Sequence, residues 1–98
     1  MVQIIEVKKS NRKGKKLKAI FSDGNVIHFG LEGSETYTEG ASKEKRDNYL
    51  KRHLGNKTEK NLIENLIISP SLLSAYLLWL TPSLENNIDI LNKMLRKN

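Results

Sequence analysis

A chain of 98 residues fits one domain and leaves no room for a second. It has no cysteine, which excludes disulfide staples and thiolate metal sites, so packing must carry its stability. Seventeen Lys and Arg against eleven Asp and Glu give a net charge of +6, and that excess is local. Lys8, Lys9, Arg12, Lys13, Lys15, Lys16 and Lys18 fall within residues 8–18 with no acid among them, while the rest of the chain sums to minus one.

In chain order, the opening Met1-Val2-Gln3-Ile4-Ile5-Glu6 meets acid too early for the apolar core of a signal peptide. The longest apolar stretch, residues 72–80, falls well short of the ~18 residues that a membrane span requires. Neither export by that route nor membrane passage is expected.

Residues 1–30 read as a three-stranded antiparallel meander. Residues 2–7 and 17–21 are apolar, β-branched or aromatic-rich, and the basic stretch between them holds the turn formers Ser10, Asn11 and Gly14. The basic stretch is therefore a hairpin tip. Asp23-Gly24, between Phe21 and Val26, suits the positive φ angles of a two-residue type I′ turn. Counting outward from that turn pairs Phe21 with Val26, Ile20 with Ile27, Ala19 with His28 and Lys18 with Phe29. One face then carries Leu17, Ala19, Phe21, Val26 and His28, and the other Lys18, Ile20, Ile27 and Phe29. Pattern alone does not choose the buried side.

Residues 31–41, rich in Gly, Ser and Thr, form a loop, and residues 42–98 form a helical part. Ser42 is placed to cap a helix running to Leu54, with Tyr49, Leu50, His53 and Leu54 on one stripe and Gly55 at the stop. Thr58 is placed to cap a second helix, with Leu62, Ile63, Leu66 and Ile67 as its apolar stripe. Ser69-Pro70 and Thr81-Pro82 each set a capping side chain before a proline, whose missing N–H costs nothing at the first helical position. The helix after Pro70 is apolar nearly all round, so it should be the central buried element. The last carries Leu84, Ile88, Leu91 and Leu95 on one face. The expected fold class is α+β: one domain, with a three-stranded meander followed by three or four packed helices.

The chain shows no catalytic equipment. His28 and His53 lie on different elements without metal-pair spacing, and read as a strand-face and a helix-stripe histidine. There is no Gly-x-Ser-x-Gly elbow and no glycine-rich phosphate loop. Gly30-Leu31-Glu32-Gly33 has a backbone-clamp spacing, but Glu32 stands where a phosphate would approach. Neither an enzyme nor a cofactor or metal site is expected. The six aromatic residues read as core, with Tyr37 alone left open as a loop residue.

The hairpin cations Lys8, Lys9, Arg12, Lys13, Lys15, Lys16 and Lys18 are the candidate binding residues. Ammonium groups on a protruding ribbon can neutralise nucleic-acid phosphates and release counterions without rigid geometry. The segment has no aromatic residue to stack on bases, so non-specific contact is expected rather than base recognition. An acidic protein surface is the competing partner, and a merely solvated charge run is the bland reading.

The run Lys18-Ala19-Ile20-Phe21, then His28-Phe29-Gly30, Tyr37-Thr38, Tyr49-Leu50 with Arg52-His53, and Leu73-Ser74 with Tyr76 and Leu78-Trp79 resembles a family of small basic proteins encoded by giant DNA viruses of algae and protists. The resemblance spans about residues 16–90. It implies a viral origin, a product made in the host cell and no known activity. The host cell cytoplasm is the expected location, and the alternative to nucleic-acid contact is a structural virion component, a minor capsid or core protein that cements larger proteins. In that family a histidine and a lysine follow the Tyr-Thr pair and an arginine follows Leu-Ser. This chain has Gly40-Ala41 and Ala75 there, which puts any shared polar site outside the hairpin in doubt.

Overall fold

The computed structural model describes residues 2–97. The β-branched runs form β1 (Ile4–Lys9), β2 (Lys15–Phe21) and β3 (Val26–Leu31), an antiparallel sheet in the order β1-β2-β3. A 3₁₀ turn at Tyr37–Glu39 leads to α1 (Lys43–Leu54) and α2 (Lys57–Glu64). α3 (Pro70–Leu73) runs directly into a π-helical turn, Ser74–Leu78, and α4 (Leu84–Lys97) closes the chain. The α+β class and the meander are as the sequence predicts.

The β2–β3 register differs from the expected one by a single residue. Ile20 pairs with Val26, Ala19 with Ile27, Lys18 with His28 and Leu17 with Phe29. A type I′ turn would need positive φ at both central residues, a conformation that costs a non-glycine residue about 1–2 kcal/mol. The loop confines positive φ to Gly24 (φ 90°). The Gly24 N–H donates to the Phe21 carbonyl and the Phe21 N–H to the Asn25 carbonyl, both at 2.9 Å, which is a three-residue turn with a glycine bulge. Asp23 steadies it by accepting from the Asn25 N–H (3.1 Å) and side-chain amide (2.9 Å).

That slip turns β3 over relative to the expected faces. Phe29 and Ile27 join Leu17, Ala19 and Phe21 against the helices, with Ala19, Phe21 and Phe29 almost wholly buried. Lys18, Ile20, Val26 and His28 face away from them. On β1, Val7 lies opposite Ala19 and Lys8 opposite Lys18, and a bulge at Ile5 restores Ile4 to the core opposite Phe21. Asn92 of α4 holds this edge strand: its Oδ1 accepts the Ile4 N–H (2.8 Å) and its Nδ2 donates to the Ile4 carbonyl (3.0 Å).

Among the helices, Ser42 caps α1 as expected, accepting from the Lys45 N–H (3.1 Å). α2 starts two residues before the predicted position because Asn56, not Thr58, is its cap; one amide oxygen reaches both the Thr58 and Glu59 N–H groups. It ends at Glu64, and Leu66 enters the left-handed region (φ 53°) while its side chain packs on the core. Ile67 is left exposed, so the predicted stripe breaks there.

Ser69 caps the Pro70 helix through the Leu72 N–H (3.2 Å), and Leu72, Leu73, Leu77 and Leu78 form the centre of the core. Thr81-Pro82 does not start the last helix. Ser83 caps α4 through the Asn86 N–H (3.2 Å), and Thr81 is drawn instead to Asn87.

Asn87, on the face of α4 that meets the π turn, is fully buried. Its Nδ2 donates to the carbonyls of Leu77 (2.9 Å) and Thr81 (3.1 Å), and its Oδ1 accepts from the Thr81 hydroxyl (2.6 Å) and N–H (3.1 Å). Removing the amide would strand these groups in a buried site, where each unpaired group costs about 1–3 kcal/mol. Asn87→Ala is therefore expected to lower stability by about 2–4 kcal/mol, read as a lower urea midpoint at an unchanged slope. A loss below about 0.5 kcal/mol, the usual range of a surface substitution, would contradict the account.

Candidate functional site

The seven hairpin cations do not share one surface, because strand alternation and the turn distribute them. Lys8 and Lys18 are direct cross-strand partners on the outward face, with His28 next in line. Like charges so placed repel, and each is relieved locally: Lys8 Nζ lies 3.7 Å from Glu6, and Lys18 Nζ reaches Asn11 Oδ1 at 3.5 Å. Arg12 and Lys13 stand exposed at the tip, in a turn closed by the Lys15 N–H on the Arg12 carbonyl (3.2 Å) with Gly14 at φ 84°.

Lys16 is withdrawn from the surface. Its Nζ lies 2.8 Å from Glu39 Oε1 and its side chain is only 14% exposed. Glu39 also accepts from the buried Thr36 hydroxyl (2.9 Å). The bond to Lys16 outweighs the opposing effect of burial and, with the Thr36 hydroxyl adding to it, holds the Glu39 carboxyl below its ordinary value.

Lys9 and Lys15 border an open cleft of about 700 Å³ whose other wall is Glu32, Glu35 and Glu39. Glu32 accepts the Gly14 N–H at 3.0 Å. The hairpin that is free of acid in sequence thus meets three acids in space, all supplied by the segment after β3.

His28 does not sit beside Ala19, as the expected register has it, but on the opposite face next to Lys18. Its Nδ1 is 2.7 Å from Ser10 Oγ, which also accepts the Arg12 N–H (2.9 Å). Partial burial first, then the charges of Arg12, Lys18 and Lys15, lower its pKa.

A second cleft, of about 780 Å³, lies between the segment after β3, α1 and the start of α3. Tyr49 forms its wall, stacked on Trp79 (centroids 4.4 Å, 11°) and tilted against His53 (4.1 Å). His53 Nδ1 pairs with Glu59 Oε2 at 2.7 Å and so ties α1 to α2. Burial pushes the Tyr49 hydroxyl up to about 12, with Glu59 adding to the shift and a bond to Ser74 opposing it. Tyr37, the open case in the loop, packs under the Arg46 guanidinium (5.5 Å). Arg46 Nε donates in turn to the carbonyls of Trp79 (2.9 Å) and Leu80 (3.2 Å).

Among the described residues no group of three or more His, Asp and Glu is placed to hold a metal ion, and no helix is long and apolar enough to cross a membrane.

Ser10, Glu39 and Arg46 carry no signal in the sequence, since each gains its role from a partner at least 18 residues away, Glu39 from Lys16 and Arg46 from Trp79. The Lys16–Glu39 contact has a pH signature. A depressed carboxylate pKa contributes stability above the ordinary value of 4.5 that is lost as pH falls through the lower folded-state value. Stability should therefore drop between about pH 5 and pH 3, and by less in Glu39→Gln. Urea midpoints across that range check it, and parallel curves for the two proteins would count against it.

No solved structure matches this chain. It is 38% identical over 60 residues to an uncharacterized protein of Acanthamoeba polyphaga mimivirus. The match covers 57% of this chain and spans 60% of that protein's length. A mimivirus relative agrees with the expected kinship to giant viruses. Residues 5–53, from β1 through α1, match a family model, and on that match the chain belongs to a family of unknown function, DUF5754.

Proposed function

We propose that this protein is a non-catalytic binding module that contacts nucleic-acid phosphates without sequence preference, through the outward face and tip of the β1–β2 hairpin. The observation that carries the reading is the sheet face turned away from the helices, where Lys8 and Lys18 stand with Arg12 and Lys13 beyond them at the tip. Phosphates need only a cationic surface at the right spacing, and this face supplies one without a rigid pocket. The mimivirus relative supports a viral product acting in the host cell cytoplasm.

A structural role in the virion is the second reading. It is favoured by the apolar end of the same sheet face, where Ile5 is 65% and Val26 46% exposed.

Salt-titrated anisotropy with labelled single- and double-stranded oligonucleotides tests the first reading. With Lys16 held by Glu39, six cations remain, so the log-log slope should be no steeper than about −5. Changing Lys8, Arg12, Lys13 and Lys18 to Gln should flatten it by about 4 and weaken low-salt binding more than tenfold on the same basis. Lys16→Gln should leave the slope unchanged, against the loss of about one unit expected of a lysine that engages a phosphate. A protein that ignores nucleic acid at low salt ends this reading, and its stoichiometric recovery from purified particles would then favour the second.

A further inference from the structure

We propose that Ser10, Arg12, Lys18 and His28 form a seat for a single phosphate group, and that filling it is coupled to proton uptake by His28. The inference rests on the nucleic-acid reading in that it names one anchoring point within the same surface.

The geometry begins at Ser10. Its Oγ accepts the Arg12 N–H at 2.9 Å and lies 2.7 Å from His28 Nδ1. With the oxygen engaged as an acceptor, the hydroxyl proton is free to donate to Nδ1. That bond selects the imidazole tautomer carrying its proton on Nε2. The tip loop is thereby tied to β3, and an N–H donor is held on the outward face next to Lys18, the direct cross-strand partner of His28. Lys18 directly opposite His28, the imidazole N–H and Arg12, whose backbone is bonded to Ser10, bring an ammonium, a ring donor and a guanidinium-bearing residue to one corner of the sheet, the kinds of donor that a tetrahedral oxyanion takes from several directions.

The charges around this point come from each neighbouring element. β1 contributes Lys8 with Glu6 3.7 Å from it, and β2 contributes Lys18 and Lys15. The turn contributes Arg12, while Glu32, after β3, is engaged by the Gly14 N–H. The helices pack on the opposite face of the sheet. Partial burial and the three cations Arg12, Lys18 and Lys15 keep the His28 imidazole below its ordinary value of 6.5, hence neutral at pH 7.

A phosphate placed among these groups offsets the cations and favours the imidazolium. By linkage, a ligand that raises the pKa of a group binds more tightly as pH falls. The sign is opposite to that of a depressed carboxylate: affinity is gained on acidification and lost as pH rises through the bound-state pKa. One proton permits at most about tenfold per pH unit. Counterion release by itself responds to salt, so this proton linkage separates a defined seat from diffuse attraction.

The test has two arms. In the first, His28 ring resonances of the wild-type protein are followed by NMR from pH 4.5 to 8.5, with and without inorganic tripolyphosphate. The His28 midpoint should rise by about one pH unit on saturation. An unmoved midpoint overturns the inference. In the second, oligonucleotide affinity is measured at pH 8 and pH 6 for wild type and His28→Gln, whose place on the face turned away from the helices leaves the core intact. Wild type should gain about three- to fivefold, short of the tenfold limit that a one-unit shift sets, and the variant less than twofold with its salt slope retained. Equal pH dependence in both overturns the seat and leaves the broader reading standing. A His28 response to tripolyphosphate without any oligonucleotide binding supports the seat and removes nucleic acid as its occupant.

Discussion

The position of β3 against β2 is the constraint on which both the core and the candidate surface depend. Confining positive φ to Gly24 shifts the pairing by one residue from a two-residue turn. Side chains alternate across a strand, so a shift of one residue exchanges its two faces. Phe29 is thereby delivered to the core beside Ala19 and Phe21, and His28 to the outward face beside Lys18. In the other register Phe29 would face solvent and His28 would displace it. The burial of one large aromatic ring, worth roughly 1.5–3 kcal/mol, favours the observed pairing over its competitor, and the turn chemistry at Asp23 and Asn25 agrees with it.

The helical half is anchored by polar groups rather than by its apolar stripe alone. A helix leaves its last carbonyls without partners, and here the Pro70 helix ends in a π turn buried at the centre of the molecule. Asn87 takes the carbonyl of Leu77, and Arg46 takes those of Trp79 and Leu80. The central helix is thus bound to α4 on one side and α1 on the other. Asn92 extends the connection to Ile4, so the edge strand, α4 and the core form one polar and apolar continuum. The hydrophobic helix could slide along its neighbours on packing alone, and these directional bonds fix its position.

Charge follows the same logic. The cations of residues 8–18 are contiguous in sequence, but the strand pleat, the tip turn and the returning segment after β3 divide them among three environments. Lys16 is neutralised by Glu39, Lys9 and Lys15 border an acidic wall, and Lys8, Lys18, Arg12 and Lys13 remain for the outward face and tip. The surface available to a polyanion is therefore smaller and more directional than the run of lysines suggests, and it contains a histidine held neutral first by partial burial and then by the cations.

The sequence by itself determined the α+β class, the meander, the Ser42 and Ser69 caps and the centrality of the helix after Pro70. All are set by periodicity and by side chains acting within three or four residues of themselves. It missed the β2–β3 register, the Asn56 and Ser83 caps, the π turn and the role of Asn87. At Thr81 a contact from elsewhere overrode the local signal: it makes a good cap in isolation but here is the partner of a buried amide. The candidate site divides in the same way. Its cations are legible as composition, whereas the withdrawal of Lys16 and the pairing of Ser10 with His28 depend on residues at least 18 positions apart. Only the tertiary structure could decide these, because charge and hydrogen bonding act through space and the sheet register sets which groups come near.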